Sequence, residues 1–460
     1  MVTVMEKQVL LVNPWIHDFA AYDFWAKPLG LLTLASILRE NGFSVRLLDC
    51  LDPLHRGLDG LPGRGKPKRK EGGAGHFLRE PIPRPAVLRD VPRTYGRYGL
   101  PPQAVREELR KLPPPDLVLV TSGMTYWYPG AAETIGAVRE IFPAAPVVLG
   151  GNYATLCPEH ARISTGADRV LPGKGEGHLE SLAREFLGSD LAFLPDPDDL
   201  DGPPYPAFDL YPALDQVPLR TSRGCPFRCT YCAASFLDGR FLARDPVAAV
   251  DEMEHWKKLK GVRHFSFYDD ALLAKSRERA VPMMEEILRR NLECSFHCPN
   301  GLHLREVDEK VASLMRKSGF RTLRFGFETS SVRRQLETGG KVTNDETRDA
   351  VRHLRRAGYG EEEIGMYLLC GLPGQTADEI RASILFIREC GARPILAEYS
   401  PIPRTALWEE AVRSSPFDIA GEPLFQNNTL LPCGNGDLSP ERWRELKALA
   451  RNGSREIPPR

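Results

Sequence analysis

Along the first fifty residues the apolar positions change period twice. Val9-Leu10-Leu11-Val12 is an unbroken apolar run closed by Asn13-Pro14, the pattern of a short strand buried on both faces. From Leu29 to Leu38 the apolar residues recur at helical spacing, and Asn41-Gly42 stops them. Val45–Asp49 returns to a strand pattern. The same alternation resumes with a strand at Leu117–Val120, a helix over Gly130–Ile141 and a strand at Val147–Leu149 that ends in Gly150-Gly151. Strands and helices in strict alternation predict a parallel sheet covered on both sides, a doubly wound α/β domain over residues 1–190. Residues 53–115 interrupt it with a stretch rich in Pro, Gly and Arg that reads as an irregular insertion.

Residues 191–215 are acidic and proline-rich, the composition of a linker. Beyond them the alternation restarts. Strands are predicted at Leu219–Ser222, His264–Tyr268, Glu293–Cys298, Thr322–Phe327, Gly365–Leu369 and Ile395–Tyr399, with helices between them such as Pro246–Leu259 and Val307–Lys317. Six strand–helix units over 216–410 suggest a partial (β/α)6 barrel rather than a closed eightfold one. The polar and cysteine residues fall at or just after the strand ends, the face where parallel α/β folds place their chemistry. Residues 411–460 read as a small helical extension.

Composition narrows the function. Lysine plus arginine equals aspartate plus glutamate at 61 each, so no bulk charge points to nucleic acid. The basic run Arg64–Lys70 sits among Gly and Pro and reads as a solvated loop. No apolar run approaches the ~18 residues of a membrane span, and the first residues lack the zones of a secretory signal. The expectation is a cytoplasmic protein with no membrane partner. There are ten cysteines, and three of them crowd into eight positions, which points to metal rather than to a disulfide framework.

Those three are Cys225, Cys229 and Cys232, spaced C-x3-C-x2-C. Such a loop wraps three thiolates onto three corners of a [4Fe–4S] cube and leaves the fourth iron open to a chelating substrate. Structural zinc prefers four ligands in paired spacing, and no fourth ligand lies nearby. Cys294, Cys298 and Cys370 remain as small buried side chains or as an extra ligand or substrate anchor.

With Tyr231 just before the last cysteine, the run Cys225-Pro226-Phe227-Arg228-Cys229-Thr230-Tyr231-Cys232 resembles the signature of the radical S-adenosylmethionine (SAM) superfamily. The resemblance implies a partial barrel in which SAM chelates the open iron, one electron from the reduced cluster breaks a carbon–sulfur bond, and the resulting 5'-deoxyadenosyl radical abstracts hydrogen from a substrate. It implies SAM contacts at Phe227, Tyr231, Asp269, Asp270, Asn300, Glu328, Gly371 and Pro373. It also implies an electron donor such as flavodoxin or ferredoxin. No catalytic residue beyond these is assigned.

The front domain resembles the cobalamin-binding (B12-binding) domain fused ahead of many such barrels, on Val9–Pro14, Pro28–Ala35, Ser122-Gly123-Met124 and Leu149–Asn152. That likeness implies cobalamin contacts at Asn13, Leu29, Gly30, Ser122, Gly123, Gly150 and Gly151, the small residues leaving a slot at the strand ends. The D-x-H-x-x-G motif is absent, and His17 and His55 stand in another context. The expected activity is a cobalamin-dependent methyltransferase acting on an unactivated carbon. The alternatives are a non-methylating rearrangement, cyclisation or carbon–carbon bond formation on the same fold, and a non-catalytic iron–sulfur sensor. Methylthio transfer needs three further cysteines in the front domain, where only Cys50 and Cys157 stand.

Overall fold

Strand β1 (Gln8–Asn13) is buried on both faces because helices lie against each side of its sheet. The computed structural model describes residues 7–59 and 67–451 and divides into two units, 1–217 and 218–460. In the first unit β1 pairs in parallel with β2 (Ser44–Asp49) and β3 (Leu117–Val120), followed by β4 (Val147–Leu149) and β5 (Arg169–Val170), in the order β2-β1-β3-β4-β5. Val9 and Leu11 face Leu31, Leu34, Ala35 and Leu38 of the helix Leu29–Glu40. Leu10 and Val12 face the opposite layer, with Val105 and Leu109 of the helix Pro102–Lys111 and Ile135 and Val138 of the helix Tyr128–Ile141. This is the doubly wound domain that the alternation predicts.

Two segments differ from their composition. Residues 53–115 contain the helix Pro102–Lys111 and two strands, Arg79–Pro81 and Gly96–Tyr98, which join Ile16–Asp18 in a small antiparallel sheet. Strands of three residues are too short to show a period, and the helix buries only Val105 and Leu109. Residues 191–215 are held to the first unit. Tyr211 donates to Asp49 Oδ2 at 2.6 Å, Asn41 exchanges two hydrogen bonds with Phe193, and Ala207 and Phe208 are buried. Arg64 to Lys66 of the basic run lie outside the described residues. Arg69 is tied down rather than solvated, with Nη1 2.7 Å from Asp23 Oδ2.

The second unit carries six strands in sequential order: β6 (Val217–Leu219), β7 (His264–Phe267), β8 (Ser295–Leu302), β9 (Phe320–Glu328), β10 (Ile364–Cys370) and β11 (Arg393–Glu398). From β7 to β11 every pairing is parallel. Leu323, Phe325 and Phe327 of β9 are buried, and the Phe327 ring stacks on Phe386 of the helix Ala377–Glu389 at 5.3 Å. The alternate residues, Thr322, Arg324, Gly326 and Glu328, occupy the other, inner face. The C-terminal residues pack onto this unit: Arg388 Nη2 reaches the carbonyls of Leu449 and Ala450 at the end of the helix Pro440–Arg451. Among the described residues no helix is long and apolar enough to cross a membrane.

Candidate active site

Cys225, Cys229 and Cys232 sit on the loop between β6 and the short helix Ala234–Leu237, and all three line one cavity of about 370 Å³. That volume lies within the ~300–1,000 Å³ of small-molecule and cofactor sites. Among the described residues no group of three or more His, Cys, Asp and Glu converges on a single metal ion. The donor set nonetheless suits a cluster: three thiols on one loop facing a shared space. Burial pushes Cys225 up to about 11 and moves Cys232 the same way. Positively charged iron is what such thiols need in order to ionise.

The loop is braced from behind. Thr230 N donates to Thr338 O at 3.3 Å, and Gly339 lies against the Arg228 carbonyl. Gly339 has φ +110°, and a Cβ there would stand 2.7 Å from Arg228 O and 3.1 Å from Cys229 Cα. Only glycine fits a left-handed position in such close contact with the cysteine loop. Inside the loop, Phe227 stacks on buried His303 at 4.2 Å between centroids, with an interplanar angle of 16°.

The strand ends complete the wall. Glu328, the last residue of β9, reaches the cavity from a left-handed backbone with φ 72°. Its Oε1 lies 3.1 Å from Lys341 Nζ. Lys341 lies directly over Gly326, whose missing side chain makes room for the ammonium. Burial works against the charge on Lys341, but Glu328 and the cysteines outweigh it and hold the pKa above its usual value. Tyr231 is also raised, first by burial and then by the Glu328 carboxylate. Asp270 is pushed up to about 6 by desolvation in the concave site and by the like charges of Asp238 and Asp269. His303 is pushed down to about 3 by burial and by the cations Lys341 and Arg305, so its imidazole is neutral near pH 7.

Of the sequence-derived SAM contacts, Tyr231, Asp270, Asn300 and Glu328 line the cavity with the three cysteines. Asp269 does not. Its carboxylate accepts from Thr221 N, from Thr221 Oγ1 at 2.7 Å and from Ser222 Oγ at 2.6 Å, which locks β7 to the residues after β6. Gly371 and Pro373 also lie outside the cavity lining. Gly371 N donates to Gln375 Oε1 at 2.8 Å, and the Pro373 carbonyl accepts from Arg334. Cys294, Cys298 and Cys370 are buried away from the cavity, with Cys294 and Cys370 donating to main-chain carbonyls. Sequence reasoning missed Lys341, His303 and Tyr367. The Gly339-Gly340-Lys341 run was the available signal for the first.

In the first unit the proposed cofactor residues divide. Gly30 has no atom within 4 Å of the position a Cβ would take, and Gly150 has only Leu171 O at 3.9 Å, so the slot is open there. Gly123 and Gly151 are filled by their own surroundings: the Trp127 ring stands 3.0 Å from the Gly123 position, and the Ser122 main chain crowds Gly151. Ser122 Oγ donates to Gly150 O at 2.6 Å, Asn13 Nδ2 donates to Asp49 Oδ1 at 2.7 Å, and Leu29 is buried. His17 pairs with Glu133 at 2.8 Å, and His55 Nδ1 accepts from Gly57 N.

Residues 219–387 match the family model described as Radical SAM superfamily. An uncharacterized methyltransferase of Pyrococcus horikoshii is 28% identical over 332 residues, covering 65% of this chain and 70% of that protein. The cytidylyl-2-hydroxyethylphosphonate methyltransferase of Streptomyces wedmorensis is 22% identical over 479 residues, covering 90% of this chain and 83% of its own. Among solved structures, the radical S-adenosylmethionine methyltransferase TsrM from Kitasatospora setae, with tryptophan and a SAM analog bound, superposes with a TM-score of 0.64. It is 19% identical and covers 89% of this chain and 76% of that one. At that identity the likeness is one of fold.

Proposed function

We propose that this chain, whose residues 219–387 match the Radical SAM family model, is a radical SAM enzyme and a cobalamin-dependent methyltransferase acting on an unactivated carbon. The observation that carries the reading is the single cavity in which Cys225, Cys229 and Cys232 meet the Glu328–Lys341 pair.

Cys225, Cys229 and Cys232 would hold the [4Fe–4S] cluster. Lys341 and Glu328 offer one charge of each sign, which matches the carboxylate and ammonium of the methionine end of SAM. Asn300 and Asp270 add polar groups on the same wall. Tyr231 presents an apolar ring to the cavity, as a flat base requires. In the first unit, Gly30 and Gly150 leave the space that a cobalamin tail needs at the C-terminal ends of the strands. When bound, the reduced cluster supplies the electron that cleaves SAM and cobalamin carries the methyl group to be transferred. The electron comes from a flavodoxin- or ferredoxin-type carrier in the cytoplasm.

The test is anaerobic purification followed by cluster reconstitution with and without hydroxocobalamin. The reading expects stoichiometric cobalamin, 5'-deoxyadenosine formed from SAM under a strong reductant, and loss of that product in Cys229→Ala. Deoxyadenosine without bound cobalamin would remove the methyltransferase and leave the radical enzyme.

A further inference from the structure

The inner face of the second unit's sheet carries a pair of arginines that the SAM site does not use. Strand register sets Arg324 of β9 opposite Gly365 of β10, and Gly365 opposite Arg393 of β11. The two arginines therefore flank one glycine at the same level of the sheet. Arg324 shares the face of Gly326, over which the cavity-lining Lys341 lies, and Arg393 shares the face of Ala397, which lines the cavity, because the side-chain period of a strand is two. Arg324 stands four residues before Glu328, about 13 Å at the strand rise.

Gly365 makes room for the pair. A Cβ there would lie 2.6 Å from Arg324 Nη1 and 2.9 Å from Arg324 Cδ, so the guanidinium lies across β10 in the space a side chain would fill. Arg393 faces it closely enough that, after burial, its charge is the next largest influence lowering the Arg324 pKa. Two cations are thus held together, offset by Tyr367 and by the exposed Glu362. Arg324 Nη1 donates to the adjacent Leu323 carbonyl. Arg393 Nη1 reaches Glu362 Oε2 at 3.3 Å, but that carboxylate's side chain is 76% exposed, and such a pair contributes little. Arg393 Nε is buried without a hydrogen-bond partner among the described residues. The neighbouring inner positions add His297 and Thr322, joined at 3.0 Å, and the acid set against both arginines is Glu362. A buried polar donor without a partner is costly, and a planar guanidinium fork fits an anionic oxygen group.

We propose that Arg324 and Arg393, with Gly365 between them, bind a phosphate- or phosphonate-type dianion on the substrate, placing its reacting carbon at the cysteine-lined end of the barrel. Two facing cations match a charge of minus two. The assignment of this group to the substrate rests on the radical SAM reading; the anion site itself does not.

The test uses the full-length, cluster-reconstituted protein and inorganic phosphate as the probe. Calorimetric titration and thermal unfolding should show saturable binding that an equal ionic strength of chloride does not reproduce. Arg393→Gln and Arg324→Gln should each weaken phosphate binding about tenfold or more. Gly365→Ala, which drives a methyl into the Arg324 guanidinium, should weaken it as well. Should Arg324→Gln fail to fold, Arg393→Gln at the half-exposed start of β11 carries the comparison. Unchanged phosphate affinity in Arg393→Gln, or no binding to the wild type, overturns the site. Acetate binding as tightly as phosphate overturns the dianion assignment. Deoxyadenosine formation by the wild type is scored separately. Phosphate binding without it keeps the site and removes the radical reading; deoxyadenosine without phosphate binding does the reverse.

Discussion

Lys341 Nζ lies 3.1 Å from Glu328 Oε1 on the wall of the cavity that the three cysteines share, and both side chains are about one-seventh exposed. The pair is held by local strain and local space: Glu328 adopts a left-handed backbone, and Gly326 leaves the gap that the ammonium occupies.

Removing one partner strands the other in that pocket. Lys341→Met is expected to cost about 3–5 kcal/mol of unfolding free energy, because a largely buried carboxylate loses its cation. The double variant should cost less than the sum of Lys341→Met and Glu328→Gln made singly, since the two share one interaction. Urea unfolding of the single and double variants measures the coupling. Equilibrium dialysis with SAM reads the second consequence, a loss of affinity in either single variant.

Gly339→Ala sets a methyl 2.7 Å from the Arg228 carbonyl at a backbone φ of +110°. Gly340 is also left-handed, at +62°, but has no atom within 4 Å of a new Cβ. Both alanine variants carry backbone strain of about 1 kcal/mol or more. Only Gly339→Ala also displaces the cysteine loop. Iron and sulfide per chain after anaerobic reconstitution should fall in Gly339→Ala and stay near wild type in Gly340→Ala. Equal cluster content in the two would remove the bracing role.

Much of this was legible in the sequence, and the failures share a cause. Each of the six barrel strands falls within a few residues of its predicted position, because buried strands between helices write their burial as apolar runs. The cysteine loop was legible because its spacing is local. Lys341 was not, because it follows β9 by thirteen residues and only the fold returns it to Glu328. The hold on the Asp269 side chain was hidden for a related reason. A carboxylate at a strand end marks a ligand site or a latch equally well, and Thr221 and Ser222, nearly fifty residues earlier, make it a latch. The same applies to residues 191–215, where composition says linker and the buried Tyr211–Asp49 bond says otherwise.

Inside the barrel, His297 takes a hydrogen bond position between His264 and Thr322, with ring nitrogen contacts of 3.1 and 3.0 Å. Burial and His264 push its pKa down from 6.5 to about 4. An imidazole that is harder to protonate in the folded chain contributes stability fully above about pH 6.5, and that stability is lost as pH falls toward 4. That separation sets a ceiling of about 3 kcal/mol. Urea unfolding across this window should show the wild type losing stability relative to His297→Gln. Parallel curves would mean that His297 does not titrate between the folded and unfolded states.

The slot in the first unit makes the last prediction, and it separates fold from cofactor. Gly30 lies in the first turn of the helix Leu29–Glu40 with empty space around its missing Cβ. Gly30→Ala should therefore stabilise the unit by about 0.5–1 kcal/mol, the usual helical gain over glycine. Gly150 follows β4 with a nearly empty surround and a φ outside the left-handed range, so a larger residue there is tolerated by the backbone. Gly150→Leu should leave the thermal transition of the cofactor-free protein close to wild type while filling the slot. Bound hydroxocobalamin after gel filtration, read by its visible absorbance, should then drop to background in Gly150→Leu. A variant that folds and still retains stoichiometric cobalamin would place the cofactor elsewhere than at the ends of β1, β3 and β4.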